Sequence, residues 1–131
     1  MHRTLWVLQI VFGVYFVIVG VLHFILPDGL PGAMDWMYDL SDGLHVVSGT
    51  AEILGGLGLI LPGVTGIRPD LTSLAAGGLV IVMLGAAIWH LDRGEPANVA
   101  QNLIIGAILA GIAYGRWRTS PLPGSYGTPA A

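Results

Sequence analysis

The chain has 131 residues, of which 54% are hydrophobic and 10% charged, with a net charge of −3 and no cysteine. A soluble domain, about a quarter of whose residues are normally charged, is excluded, and so is any role for disulfides or thiolate ligands. No basic patch, Walker sequence or G-x-S-x-G elbow is present, so no partner nucleic acid, phosphate loop or serine nucleophile is expected.

Apolar runs over about 5–26, 44–61, 71–91 and 97–115 each approach the ~20 residues that carry a helix across a ~30 Å hydrocarbon core. They predict one all-α domain, residues 1–118, folded as an integral membrane four-helix bundle in up-down-up-down order. The first run follows Met1-His2-Arg3 and exceeds the ~7 to 15 apolar residues of a secretory signal, and no small-x-small cleavage site follows it. It is therefore read as a span, with His23 near its end.

The loop from Pro27 to Gly43 holds Asp28, Asp35, Asp39 and Asp42 and no basic residue. Trp36 and Tyr38 have the amphipathic rings of interfacial anchors, and Met34 and Met37 read as interfacial packing. Ser41 and Asp42 suit a helix start, where side-chain oxygens cap free amides and a negative charge meets the helix dipole.

In the second span His45, Ser48, Gly49 and Glu52 fall on one helical face, with His45 and Glu52 ~10 Å apart along the axis at ~1.5 Å per residue. An ionisable group that deep is expensive and usually faces the bundle interior. Glu52 therefore needs a partner from another helix: Tyr15, Asn102, or a histidine through water or ligand. Pro62-Gly63 is expected to end this span, and Gly66 and Pro69 to complete the turn into the third.

The third span ends at His90, and Asp92, Arg93 and Glu95 read as a surface charge cluster. The fourth opens with Asn98, Gln101 and Asn102. Small residues at Gly55, Gly56 and Gly58, Ala75 to Gly78, Gly85 to Ala87, and Gly106 to Gly115 are expected to let helices approach closely. The sequence TSPLPGSYGTPAA, residues 119–131, is read as a flexible cytoplasmic tail.

Arg3, Arg68, Arg116 and Arg118 lie on one side of this arrangement and only Arg93 on the other. The positive-inside rule then places both termini in the cytoplasm. With that orientation the polar residues collect in the outer half, and the candidate ligand-binding set is His23, His45, Ser48, Glu52, His90, Asn98 and Asn102, with Glu52 as the candidate proton-exchanging group.

GVLHFILPDGL (Gly20 to Leu30), SGTAEILGGLGLILPG (Ser48 to Gly63) and EPANV (Glu95 to Val99) resemble the signature stretches of the DoxX-like proteins, small bacterial four-span membrane proteins. The resemblance runs from the first span to the fourth and marks His23, Ser48, Gly49, Glu52, Pro62, Pro96, Ala97 and Asn98. It implies residence in the bacterial cell membrane. The family is named for a subunit of a thiosulfate to quinone oxidoreductase, and other members are linked to oxidative-stress complexes.

Three readings follow. The first is a redox-associated membrane subunit whose pocket takes a quinone-like or other small amphipathic molecule. The second is a non-catalytic assembly or accessory subunit of a larger membrane redox complex, or a homo-oligomer, with the acidic loop as a contact. The third is a metal or haem site built from His23, His45, His90 and Glu52, each ligand coming largely from a different helix.

Overall fold

The computed structural model describes residues 1–125, and within them the architecture is entirely helical. Four long helices follow one another: α1 (His2–Ile25), α2 (Asp42–Thr65), α3 (Leu71–Asp92) and α4 (Pro96–Tyr114). A 3-10 segment, Gly32–Asp39, sits in the loop between α1 and α2, and a π-helical turn, Gly115–Thr119, extends α4. Each helix is long and apolar enough to cross a membrane. Their outward faces carry Val7, Val14, Ile18, Val47, Leu54, Ile81, Ile88 and Ile104, all exposed, as expected where lipid rather than water is the solvent.

Local chemistry explains the helix ends. The Ser41 hydroxyl accepts the Leu44 amide, capping α2. Pro96 occupies the first turn of α4, where its missing N–H costs nothing. At Pro62 the expectation from sequence is corrected: α2 runs through the proline to Thr65 and stops only at Gly66, whose left-handed backbone (φ 70°) lets its amide reach the Pro62 carbonyl. In a membrane bundle, neighbouring helices make such an internal proline tolerable.

The helices pack as two hairpins, α1 on α2 and α3 on α4, joined through α2 and α3, whereas α1 and α4 scarcely meet. Phe16, Leu59, Ala76, Leu79, Met83, Leu109 and Ile112 form the core. Only 17% of the α4 window is buried, against 33% for each of the other three, so α4 is the most lipid-facing helix.

The closest helix approach is made by glycines seven apart. A Cβ on Gly56 would lie 2.6 Å from the Gly13 carbonyl oxygen, and one on Gly49 would lie 2.9 Å from the Gly20 carbonyl oxygen. These two reciprocal pairs draw α1 onto α2 backbone to backbone. Gly77, Gly78, Gly85 and Gly111 behave otherwise, because nothing lies within 4 Å of a Cβ at any of them. The expectation that the small residues of α3 and α4 are all helix contacts therefore fails at those four positions.

The start of α1 and the turn after α4 lie at the same end of the bundle, where His2 contacts Ser120 and Arg116. In the expected tail, Leu122 and Ser125 are buried, and Leu122 packs beside the Gly63 position. Residues 126–131 of that tail lie outside the described residues.

Candidate functional site

At the opposite end, the first loop folds back over the helices. Tyr38 donates from its hydroxyl to the Pro27 carbonyl at 2.7 Å and accepts from the Leu30 amide at 3.2 Å, tying the loop to itself. Met37 is wholly buried. Trp36 descends among the rings of His23 (6.1 Å between centroids), Trp89 (6.3 Å) and His90 (5.1 Å). Where an interfacial anchor was expected, the structure has a plug between two histidines.

Beneath Trp36 a cavity of about 360 Å³ opens between α2 and α3, lined among others by His23, Ser48, Glu52, Trp89 and His90. A second, almost wholly apolar groove of about 400 Å³ continues between the same helices past Gly55, Gly58, Ala75 and Gly78. Ala51 and Val82 line both, so the chamber and the apolar groove adjoin along α2 and α3.

Glu52 is only 5% exposed, and its partner is His23 of α1, with Nε2 3.4 Å from Oε2. That distance is within ion-pair reach, but the alignment is poor and neither atom forms a hydrogen bond. The other nitrogen of His23, Nδ1, lies 2.9 Å from Nδ1 of His45. His23 thus stands between the two residues that α2 holds about two turns apart. Gly49 creates the space, since a Cβ there would lie 2.8 Å from the His23 Cβ and 2.7 Å from the Phe24 ring.

On the far wall, His90 Nδ1 is 2.6 Å from Glu95 Oε2. The Arg93 Nε donates to the other Glu95 oxygen at 2.9 Å, and its Nη2 donates to Asp39 of the first loop at 2.6 Å. Asn98 donates to Glu95 at 3.4 Å. Arg93 also lies 4.5 Å above the Trp89 ring. Arg93 and Glu95, read with Asp92 as a surface charge cluster, form with Asp39 a linked bracket that orients His90 and latches the loop. His90, then Arg93 and Asn98, hold the Glu95 carboxyl below the usual carboxylate range, against desolvation.

Of the residues expected to bind a ligand, His23, Ser48, Glu52 and His90 line the chamber. His45 stands behind His23, Asn98 behind Glu95, and neither they nor Asn102 form its wall. Tyr15 lies within electrostatic reach of Glu52 and against Gln101 of α4. Glu95, Trp36 and Trp89 are the site residues that sequence reasoning missed, and the one signal for Glu95 was its place in the EPANV stretch.

The metal and haem reading meets a geometric obstacle. Among the described residues no three His, Asp or Glu side chains are grouped to hold an ion. His23 and His45 are bonded to each other, leaving no space between them for a haem iron.

The sequence model of the DoxX-like family matches residues 7–112, which contain both walls of the chamber. The chain belongs to the DoxX-like family. No curated protein and no solved structure matches it. In this DoxX-like chain, the residues carried over from the resemblance separate by place: His23, Ser48 and Glu52 at the chamber, Gly49 at the helix contact that seats His23, and Asn98 on the bracket.

Proposed function

We propose that this DoxX-like protein binds an amphipathic, quinone-like molecule within the membrane, as a redox-associated subunit. The observation that carries the reading is the shared wall of the chamber and the groove at Ala51 and Val82. A ligand head bearing oxygens would meet His23, Ser48, Glu52 and His90, while an isoprenoid or acyl tail would lie along Gly55, Gly58, Ala75 and Gly78. Arg3 and Arg118 at the terminal end, with Arg68 in the α2–α3 turn, support the reading of that end as cytoplasmic and of the chamber as lying in the outer leaflet.

Photolabelling with a tailed quinone analogue in lipid nanodiscs tests this. Label is expected on α2 and α3, reduced by Glu52→Gln and by Gly78→Leu, which fills the groove. Labelling indifferent to both variants overturns the reading.

A second reading, an accessory subunit docking onto a membrane complex, is favoured by the exposure of Asp28, Asp35 and Asp42 on the loop end. Co-purification of a basic partner, lost on neutralising those three residues, is its test.

A further inference from the structure

We infer that His45 and His23 form a proton relay that connects the loop end of the bundle with Glu52 in the chamber. Glu52 is the eleventh residue of α2, ~15 Å from the start of the helix at ~1.5 Å per residue. A carboxylate at that depth has no bulk water at hand, and any change in its charge requires a path. The spacing along α2 alone leaves a gap of ~10 Å between His45 and Glu52. One imidazole from α1 fills it, with contacts of 2.9 Å on one side and 3.4 Å on the other.

The atoms are arranged in the order a relay needs. Two Nδ1 atoms at 2.9 Å can share a hydrogen bond only if one ring carries its proton there and the other does not. With the proton on His45 Nδ1, neutral His23 carries its own on Nε2, the nitrogen 3.4 Å from Glu52 Oε2, a separation that must shorten for transfer. A proton then arrives from water at His45 Nε2, the Nδ1 proton of His45 passes to His23 Nδ1, and the Nε2 proton of His23 passes to Glu52 Oε2. One proton enters and one is delivered; both rings end neutral, each protonated on its opposite nitrogen. The return journey reverses the same steps.

Burial fits the direction of travel. His23 Nε2 and Glu52 Oε2 are sealed from solvent and form no hydrogen bond, while His45 Nε2 and Glu52 Oε1 are the outer atoms of the chain. The first lies one turn into α2 and the second belongs to the chamber wall. The other groups facing Glu52 offer no equal route. Tyr15 of α1 is hydrogen-bonded to Gln101 of α4, and His90 of α3 lines the chamber with Nδ1 already committed to Glu95. Trp36 of the loop carries no titratable group.

His45 is thus a positioning and relay residue that does not touch the ligand. The relay rests on the proposed ligand chamber for its destination only, and it can be tested with the chamber empty. Protein in nanodiscs is acidified by a rapid pH jump, and the infrared carboxyl band that disappears in Glu52→Gln is followed in time. His45→Ala should slow its appearance roughly 100-fold, the lower end of what a positioned proton-transfer group contributes, with unchanged final amplitude. Free imidazole should restore the rate. An unchanged rate in His45→Ala, or a Glu52 band that never responds to pH, overturns the relay.

Nitrogen NMR of the unmutated protein gives a check independent of any variant's folding. Neutral His23 and His45 must show one ring protonated at Nδ1 and the other at Nε2; two Nε2-protonated rings overturn the proposal. Lost photolabelling with an intact relay removes only the quinone-like occupant, whereas a failed relay with intact labelling leaves a binding chamber without proton exchange.

Discussion

A single missing Cβ decides whether His23 and Glu52 can meet. Gly49 faces backbone and the His23 stem at less than 3 Å, so Gly49→Ala must push α1 away from α2. Overpacking of this kind costs ~1 to 3 kcal/mol. We expect a lower thermal midpoint in detergent and a disturbed Glu52 infrared band for Gly49→Ala. Gly77→Ala, with nothing within 4 Å of its new methyl, should not lower the midpoint. At this scale the sequence was readable in part: helical spacing put His45, Ser48 and Glu52 on one face, and all three fall at or beside the site. It could not say that His23 would be the bridging partner, because that depends on how far α1 and α2 approach, which Gly13, Gly20, Gly49 and Gly56 set only once the two helices are packed.

Charge helps to hold the first loop over the chamber, through the Asp39–Arg93–Glu95–His90 chain. Glu95 has its carboxyl lowered in the folded protein, first by His90 and then by Arg93 and Asn98. A lowered carboxylate contributes stability that is present above its unfolded value, ~4.3, and is lost as the pH falls through the folded value. The latch should therefore loosen on acidification below about pH 4.3, with Trp36 leaving its ring contacts. Tryptophan emission should shift red over that range, and Glu95→Gln should show the shifted spectrum already at neutral pH. A pH-independent spectrum in the unmutated protein would refute the latch. This bracket was legible as charge but not as function, since Asp39 lies more than fifty positions from Arg93 and only the folded loop joins them.

Across the whole molecule, α1 and α4 are tied at the terminal end by a buried guanidinium. Arg116 is 1% exposed; its Nε donates to the Gln9 side chain, Nη1 donates to the Ser120 carbonyl at 3.1 Å, and Nη2 has no hydrogen bond. Gln9 in turn donates to the Leu59 carbonyl at 2.7 Å, so one knot joins α1, α2 and the end of α4. Gln9→Leu strips a hydrogen bond from a buried charge, a loss of ~1.5 to 3 kcal/mol. The double variant Gln9→Leu with Arg116→Met should recover most of it, because replacing both partners of a buried polar pair by apolar side chains can be nearly neutral. Unfolding in mixed micelles measures both. An equal loss in the single and double variants would show that shape, not charge, holds the knot.

Composition and hydropathy by themselves determined the solvent, the number of helices and their alternation. Those properties follow from the cost of exposing backbone polar groups to lipid, which every span pays independently of its neighbours. The polar residues of the site were also visible, because ionisable groups stand out against an apolar background. Only the tertiary structure decided which of them touch. Gly13, Gly20, Gly49 and Gly56 set the distance between α1 and α2, and that distance placed His23 between His45 and Glu52. The fold of the first loop put Trp36 between His23 and His90, dividing histidines that sequence reasoning had gathered into one cluster. Contacts between helices depend on rotation and separation, quantities that a linear pattern of apolar residues leaves free.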